Sequence, residues 1–112
     1  MILRDGECVY ASMEQQHDFN FPYQLGTRSH DSPMDADCAQ VVIKEGDIVI
    51  MGSDGVFDNL FDEEVIEIAR LISERGILSI FDRSLGGVFK TVDPQRIANL
   101  ILASAREAAG MV

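Results

Sequence analysis

Tryptophan is absent from the 112 residues, cysteine occurs twice, proline three times, and only 9 bases stand against 19 acids. The shortage of positive charge leaves a formal net charge of −10, which repels phosphate backbones and anionic lipid, so charge-driven binding to nucleic acid or a membrane surface is excluded. Cations are the natural partners. Cys8 and Cys38 have no CxxC or Cys/His spacing around them, which indicates neither a disulfide framework nor a zinc site and leaves two free thiols in a reducing compartment. Apolar runs such as residues 48–51 fall far short of the roughly 20 residues of a membrane span. Residues 1–6 show neither the basic-then-apolar pattern of a signal peptide nor an Arg/Ser-rich leader, so no targeting signal is expected there.

The chain does have the makings of a small core. It is 46% hydrophobic and 25% charged, an ordinary globular balance. A single domain of this length buries roughly 65% of its unfolded surface. Asp5-Gly6 between short apolar-containing runs (residues 2–4 and 7–11) predicts a β-hairpin, because Gly readily supplies φ > 0. Residues 13–37 lose periodicity and read as a long connection, in which Phe19, Phe21, Tyr23 and Leu25 alternate as one short strand or a hydrophobic tether. Residues 39–44 and 47–53 read as a second strand pair around Glu45-Gly46, with apolar runs suited to burial on both faces.

Two helices follow. Asp62 stands as an N-cap before Val65, Ile68, Ala69 and Ile72, with Gly76 as terminator. Asp93-Pro94 opens the second, which runs through Ile97, Leu100, Ile101, Ser104, Ala105 and Ala108 to Gly110, its small residues suited to packing on a sheet. Residues 77–92 between them read as irregular or weakly helical.

The segment with chemical content is 46–60. The apolar strand ends at Ser53, so Asp54 emerges from a rigid element with Gly55 behind it where the backbone turns, the usual presentation of a metal ligand. Asp58 lies four residues on, which puts both carboxylates on one face if the segment is helical. Five acids between Asp54 and Glu64 repel one another unless a cation or solvent compensates, and an all-oxygen set favours Mg²⁺ or Mn²⁺ over zinc. Spacing alone leaves the ordinary alternatives open: Asp-Gly is also a common turn, and Asp58-Asn59 a helix cap. An EF-hand loop starting at Asp54 fails at Val56, Asn59 and Val65. An aspartyl phosphotransfer motif fails because residue 52 is glycine.

Gly46-Asp47-Ile48-Val49-Ile50-Met51-Gly52-Ser53-Asp54-Gly55-Val56-Phe57-Asp58-Asn59 resembles the "GD, apolar strand, S/T-D-G-hydrophobic-F/W-D" segment of the metal-dependent protein phosphatases, the protein phosphatase 2C family. Residues 3–7, Glu14-Gln15-Gln16-His17 and Phe19-Asn20-Phe21-Pro22-Tyr23-Gln24-Leu25 resemble the branch with mitochondrial and plastid members. The likeness covers residues 2–72 and, more loosely, the rest. It implies an α+β fold, part of an α-β-β-α sandwich of two antiparallel sheets flanked by helices, with a pair of Mn²⁺ or Mg²⁺ ions at one end. It also implies hydrolysis of phosphoserine and phosphothreonine in phosphoproteins by a water that the two ions activate. Asp54 matches a direct metal ligand, Asp58 a second Asp linked to a further metal site, and Gly55 the backbone turn there.

The family's site also uses an early Asp-Gly and a late Asp, neither of which this sequence matches, so residues 1–112 are expected to be an incomplete, C-terminal-half piece of the domain, inactive alone. Asp5-Gly6 matches a later hairpin of the family and is assigned no metal. The competing reading is a non-catalytic interaction or regulatory module derived from such a domain. His17 is read as structural, His30 as solvated, and Asp31, Asp35 and Asp37 as solvated loop acids.

Overall fold

The computed structural model describes residues 1–79 and 93–110. The fold is α+β, with helices and two small antiparallel sheets. Strand β1 (Ile2–Arg4) turns through Asp5 and Gly6, at φ 52° and 78°, into β2 (Glu7–Tyr10). Two consecutive positive φ values give the turn a twist that matches the strands, as the Asp-Gly pair predicts. The register runs Arg4 to Glu7 and Leu3 to Cys8, then shifts before Ile2 meets Tyr10.

The second predicted strand pair does not form. β5 is only Ile48–Val49, and it pairs with β1, Ile2 to Val49 and Leu3 to Ile48, giving the order β2-β1-β5. Residues 39–44 are not in a strand, and Val42 (81%) and Ile43 (63%) are exposed. β5 has β1 on one edge only, and residues 39–44 do not take up the other; the carbonyl of Val42 accepts Arg4 Nη2 at 3.1 Å. Gly46, at φ 90°, makes the expected turn, but that turn is closed by the Asp47 amide donating to the Lys44 carbonyl. Asp47 then anchors it to the sheet: its carboxylate accepts Arg4 Nε at 2.9 Å, Arg4 Nη2 at 2.8 Å and the Lys44 amide at 2.8 Å. These hydrogen bonds, Arg4 first, hold the Asp47 carboxyl down at about 2.

The predicted long connection contains structure of its own. β3 (Gln16–Asp18) and β4 (Phe21–Pro22) form a second hairpin with Asn20 at φ 56°, and Pro33–Asp35 makes one 3₁₀ turn. Asn20 in the left-handed region and Pro22 without an amide donor limit β4 to two residues. Phe19, Phe21 and Leu25 do not tether this hairpin to the core, since all three are exposed. Gln15 fastens the loop instead, its amide group donating to the Asp35 carbonyl and accepting from the Asp37 amide.

α1 (Asp54–Phe57) is one turn, α2 spans Asp62–Ser79 and α3 spans Pro94–Ala108. α2 begins one residue before the predicted cap is passed. Asp62 is already helical, the Phe61 carbonyl accepts from the amides of Glu64 and Val65, and the Glu64 carboxylate accepts the Phe61 amide at 2.7 Å, half of a capping box. The helix also continues past Gly76, because a glycine in a helix interior costs only about 1 kcal/mol and does not by itself end it. Of the stretch predicted irregular, 77–79 belong to α2 and 80–92 lie outside the described residues. α3 opens as expected: Asp93 accepts the Gln95 amide at 3.0 Å, and Gly110 closes it at φ 75°.

One cluster holds these elements together. Val65, Ala69 and Ile72 of α2 and Ile97, Ile101 and Ala105 of α3 are buried with Leu60, and with Leu3 and Ile50 from the sheet side. The spacing i, i+4, i+7 or i+8 places each set on one stripe of its helix. Leu100 falls off that stripe and is exposed, and Ala108, on the stripe but at the last residue of the helix, is exposed as well, so α3 buries a narrower and shorter face than its apolar content suggests. It packs on α2 and α1. Among the described residues no helix is long and apolar enough to cross a membrane.

Candidate metal centre

Local sequence shapes the segment that carries Asp54. After β5, Ile50 still donates its amide to the Met1 carbonyl at 2.9 Å, and the chain stays extended to Ser53. The Ser53 carbonyl then accepts the amides of Val56 and Phe57, at 3.1 and 3.3 Å, and the Asp54 carbonyl accepts the Asp58 amide at 2.8 Å. Asp54 is therefore presented by a helical turn that starts five residues after the strand proper, not by the strand end itself. Asp54 opens α1 and Asp58 is its C-cap, and both side chains are exposed. The helical turn that would bring the two carboxylates to one face is thus present.

Gly55 is the second residue of α1, and its carbonyl accepts the Asn59 side-chain amide at 2.8 Å. The tighter glycine is Gly52. A Cβ there would lie 2.9 Å from Phe57 Cε2 and 3.3 Å from Val56 Cβ, so only glycine lets the strand extension pass this close to α1.

A cleft of about 450 Å³ opens beside the turn, lined by Asp54, Ser53, Phe57, Asp62 and, from the segment after β2, Glu14. Asp58 is not on its wall. Glu14, Asp54 and Asp62 bring carboxylate oxygens to its lining, the donor chemistry of a hard divalent cation. Asp54 fits as one ligand of such an ion, but among the described residues no three acid, histidine or cysteine side chains come close enough to hold a metal by themselves. The ligand set is incomplete there. Sequence reasoning passed over Glu14 and Asp62 as cleft residues, and no local pattern marks them: pairing of β1 with β5 and the entry of α2 bring them to the same wall.

The remaining candidates lie elsewhere. His17 is structural, as expected: it stacks on Tyr23 with ring centroids 3.7 Å apart, and its Nε2 lies 2.8 Å from Asp31 Oδ1. Asp31 is not a solvated loop acid. Its Oδ2 accepts the Gln24 amide at 2.8 Å, and that bond, with the His17 contact, lowers the pKa of its carboxyl. Asp35 likewise accepts the Ser32 amide at 2.8 Å. His30 and Asp37 are exposed, as are the free thiols Cys8 and Cys38.

Comparison with known proteins gives one consistent result. The chain is 37% identical over 110 residues, 97% of its length, to "Probable protein phosphatase 2C 55" of Arabidopsis thaliana, and 34% identical over 107 residues to "Putative protein phosphatase 2C 24" of Oryza sativa subsp. japonica. It is 37% identical over 75 residues to "Protein phosphatase PTC7 homolog fig" of Drosophila grimshawi. The chain spans 20%, 29% and 24% of the length of these relatives, respectively. No family model and no solved structure matches it.

Proposed function

The chain belongs to the protein phosphatase 2C family, and on that premise we propose that it forms part of a metal-dependent protein serine/threonine phosphatase in which Asp54 is a metal ligand. The observation that carries this is the exposed Asp54 carboxylate, fixed on a braced helical turn at the wall of an acidic cleft, inside a stretch related to these phosphatases over nearly its whole length. When bound, Mn²⁺ or Mg²⁺ ions supply Lewis-acid activation of the water that attacks a phosphoserine or phosphothreonine ester. Asp54 holds an ion, with Glu14 and Asp62 adding negative charge along the same wall. Gly55 lies in the backbone turn behind Asp54, and Asp58, off the cleft wall, serves a further cation site. Because no full ligand set comes together among the described residues, turnover on this reading needs the rest of a phosphatase domain.

The test is Asp54→Ala in a complete phosphatase domain carrying this segment, assayed for Mn²⁺-dependent phosphate release from a phosphothreonine peptide. Turnover falls to background if Asp54 is a ligand; full turnover sinks the assignment. A second reading, an interaction module without chemistry, is favoured by the exposure of Phe19, Phe21, Leu25 and Met34 on the hairpin and loop. It requires a protein partner that binds equally well in EDTA and in Mn²⁺.

A further inference from the structure

The Gly55 carbonyl marks the point where α1 stops. Further back, the Asp54 carbonyl accepts the Asp58 amide, the i to i+4 pattern of an α-helix. At the next step the pattern breaks: the Asn59 amide donates to Val56, three residues back, at 3.1 Å, and the Leu60 amide donates to the same carbonyl at 2.9 Å. The chain tightens there and the Gly55 carbonyl loses its expected backbone donor. The Asn59 side chain replaces it, with Nδ2 at 2.8 Å. This one bond spans the turn between the residue after Asp54 and the residue after Asp58.

We infer that Asn59 is a positioning residue for the Asp54 carboxylate, acting through the Gly55 carbonyl rather than by touching metal or substrate. The inference rests on the metal-dependent phosphatase reading. Backbone bonds from Ser53, Asp54 and Val56 and the packing of Val56 and Phe57 on the core close the four-residue turn, and the Asn59 bond adds the one side-chain clasp on the Gly55 carbonyl, next to the Asp54 carboxylate. Asparagine is suited to this because its amide donates without adding a third charge; aspartate, of the same shape, has only acceptors when ionised and would face the carbonyl with a lone pair.

The experiment is Mn²⁺ titration of a complete phosphatase domain carrying this segment, followed by paramagnetic broadening of the Gly55 and Val56 amide resonances, with a thermal melt of each variant. Asn59→Leu and Asn59→Asp are expected to raise the Mn²⁺ concentration for half-broadening by about tenfold, the scale seen when a group orienting a ligand is lost, while melting stays cooperative. Half-broadening at the concentration of the unsubstituted domain overturns the inference and leaves the metal reading standing. So does loss of cooperative melting in both variants, which would make Asn59 a folding residue. Asp54→Ala separates the premise: broadening unchanged by that substitution, or absent from the unsubstituted complete domain, overturns the metal reading and the inference with it.

Discussion

Arg4 and Asp47, 43 residues apart, form a two-pronged ion pair in which Nε and Nη2 meet the two carboxylate oxygens at 2.9 and 2.8 Å. The carboxylate is only 3% exposed, and the pair joins the first hairpin to the turn that launches β5. The carboxyl titrates at about 2 in the folded chain against an ordinary 3.8. A depressed folded value means that the stabilisation is complete above the ordinary value and is lost as pH falls toward the folded one. The urea midpoint is therefore expected to drop between about pH 4 and pH 2, and Asp47→Asn should flatten that part of the profile. An unchanged pH dependence in the variant would show that the pair contributes nothing.

Ile101 and Leu100 are neighbours on α3 with opposite fates. Ile101 is buried in the common core and Leu100 is exposed. Ile101→Ala is expected to cost about 2–5 kcal/mol by denaturant unfolding. Leu100→Ala should stay within about 0.5 kcal/mol. Equal costs would mean that α3 is rotated from the orientation described.

Gly52 and Phe57 interlock so closely that a methyl group on Gly52 overlaps the ring. Gly52→Ala is expected to destabilise the chain by about 1–3 kcal/mol, as overpacking does. Phe57→Leu in the same chain should return part of that loss, and a double-mutant cycle reads the coupling. Purely additive effects would argue against the contact.

His17 ties β3 to the loop that follows β4 through Tyr23 and Asp31. His17→Ala should speed amide exchange at Gln24, whose donor bond ends on Asp31, and leave Ile97 and Ile101 protected. His17→Phe, which keeps a ring to stack but loses the polar contact, should fall between. Uniform acceleration across the chain would mean that the loop and the core open together.

Local signals carried the elements whose causes are local. Asp5-Gly6 gives the first hairpin because both turn residues must adopt positive φ, and Asp93-Pro94 gives the start of α3 because cap and N1 preferences act within three residues. Val41, Val42 and Ile43 misled the reading, since an apolar run says nothing about which strand edge it will meet; β1 pairs with β5, and residues 39–44 join no strand. Asp31 misled it for the same reason in polar form: a loop acid looks solvated until the distant His17 and Gln24 amide are brought to it. At the candidate site, the family-like segment pointed to Asp54, whereas Glu14 and Asp62 reach the cleft only through tertiary contacts.

The middle position of β1 sets an order of events in folding. Its pairing with β2 closes across a two-residue turn, an event of about 1–10 μs for a hairpin. Its pairing with β5 must close a loop of more than forty residues, for which the entropic cost is higher and the search slower. The nascent chain thus carries a finished hairpin with one open edge for as long as it takes Ile48 to arrive. A competing strand that reaches Ile2 and Leu3 in that interval finds the same unpaired backbone groups, which makes β1 the place where misassembly begins.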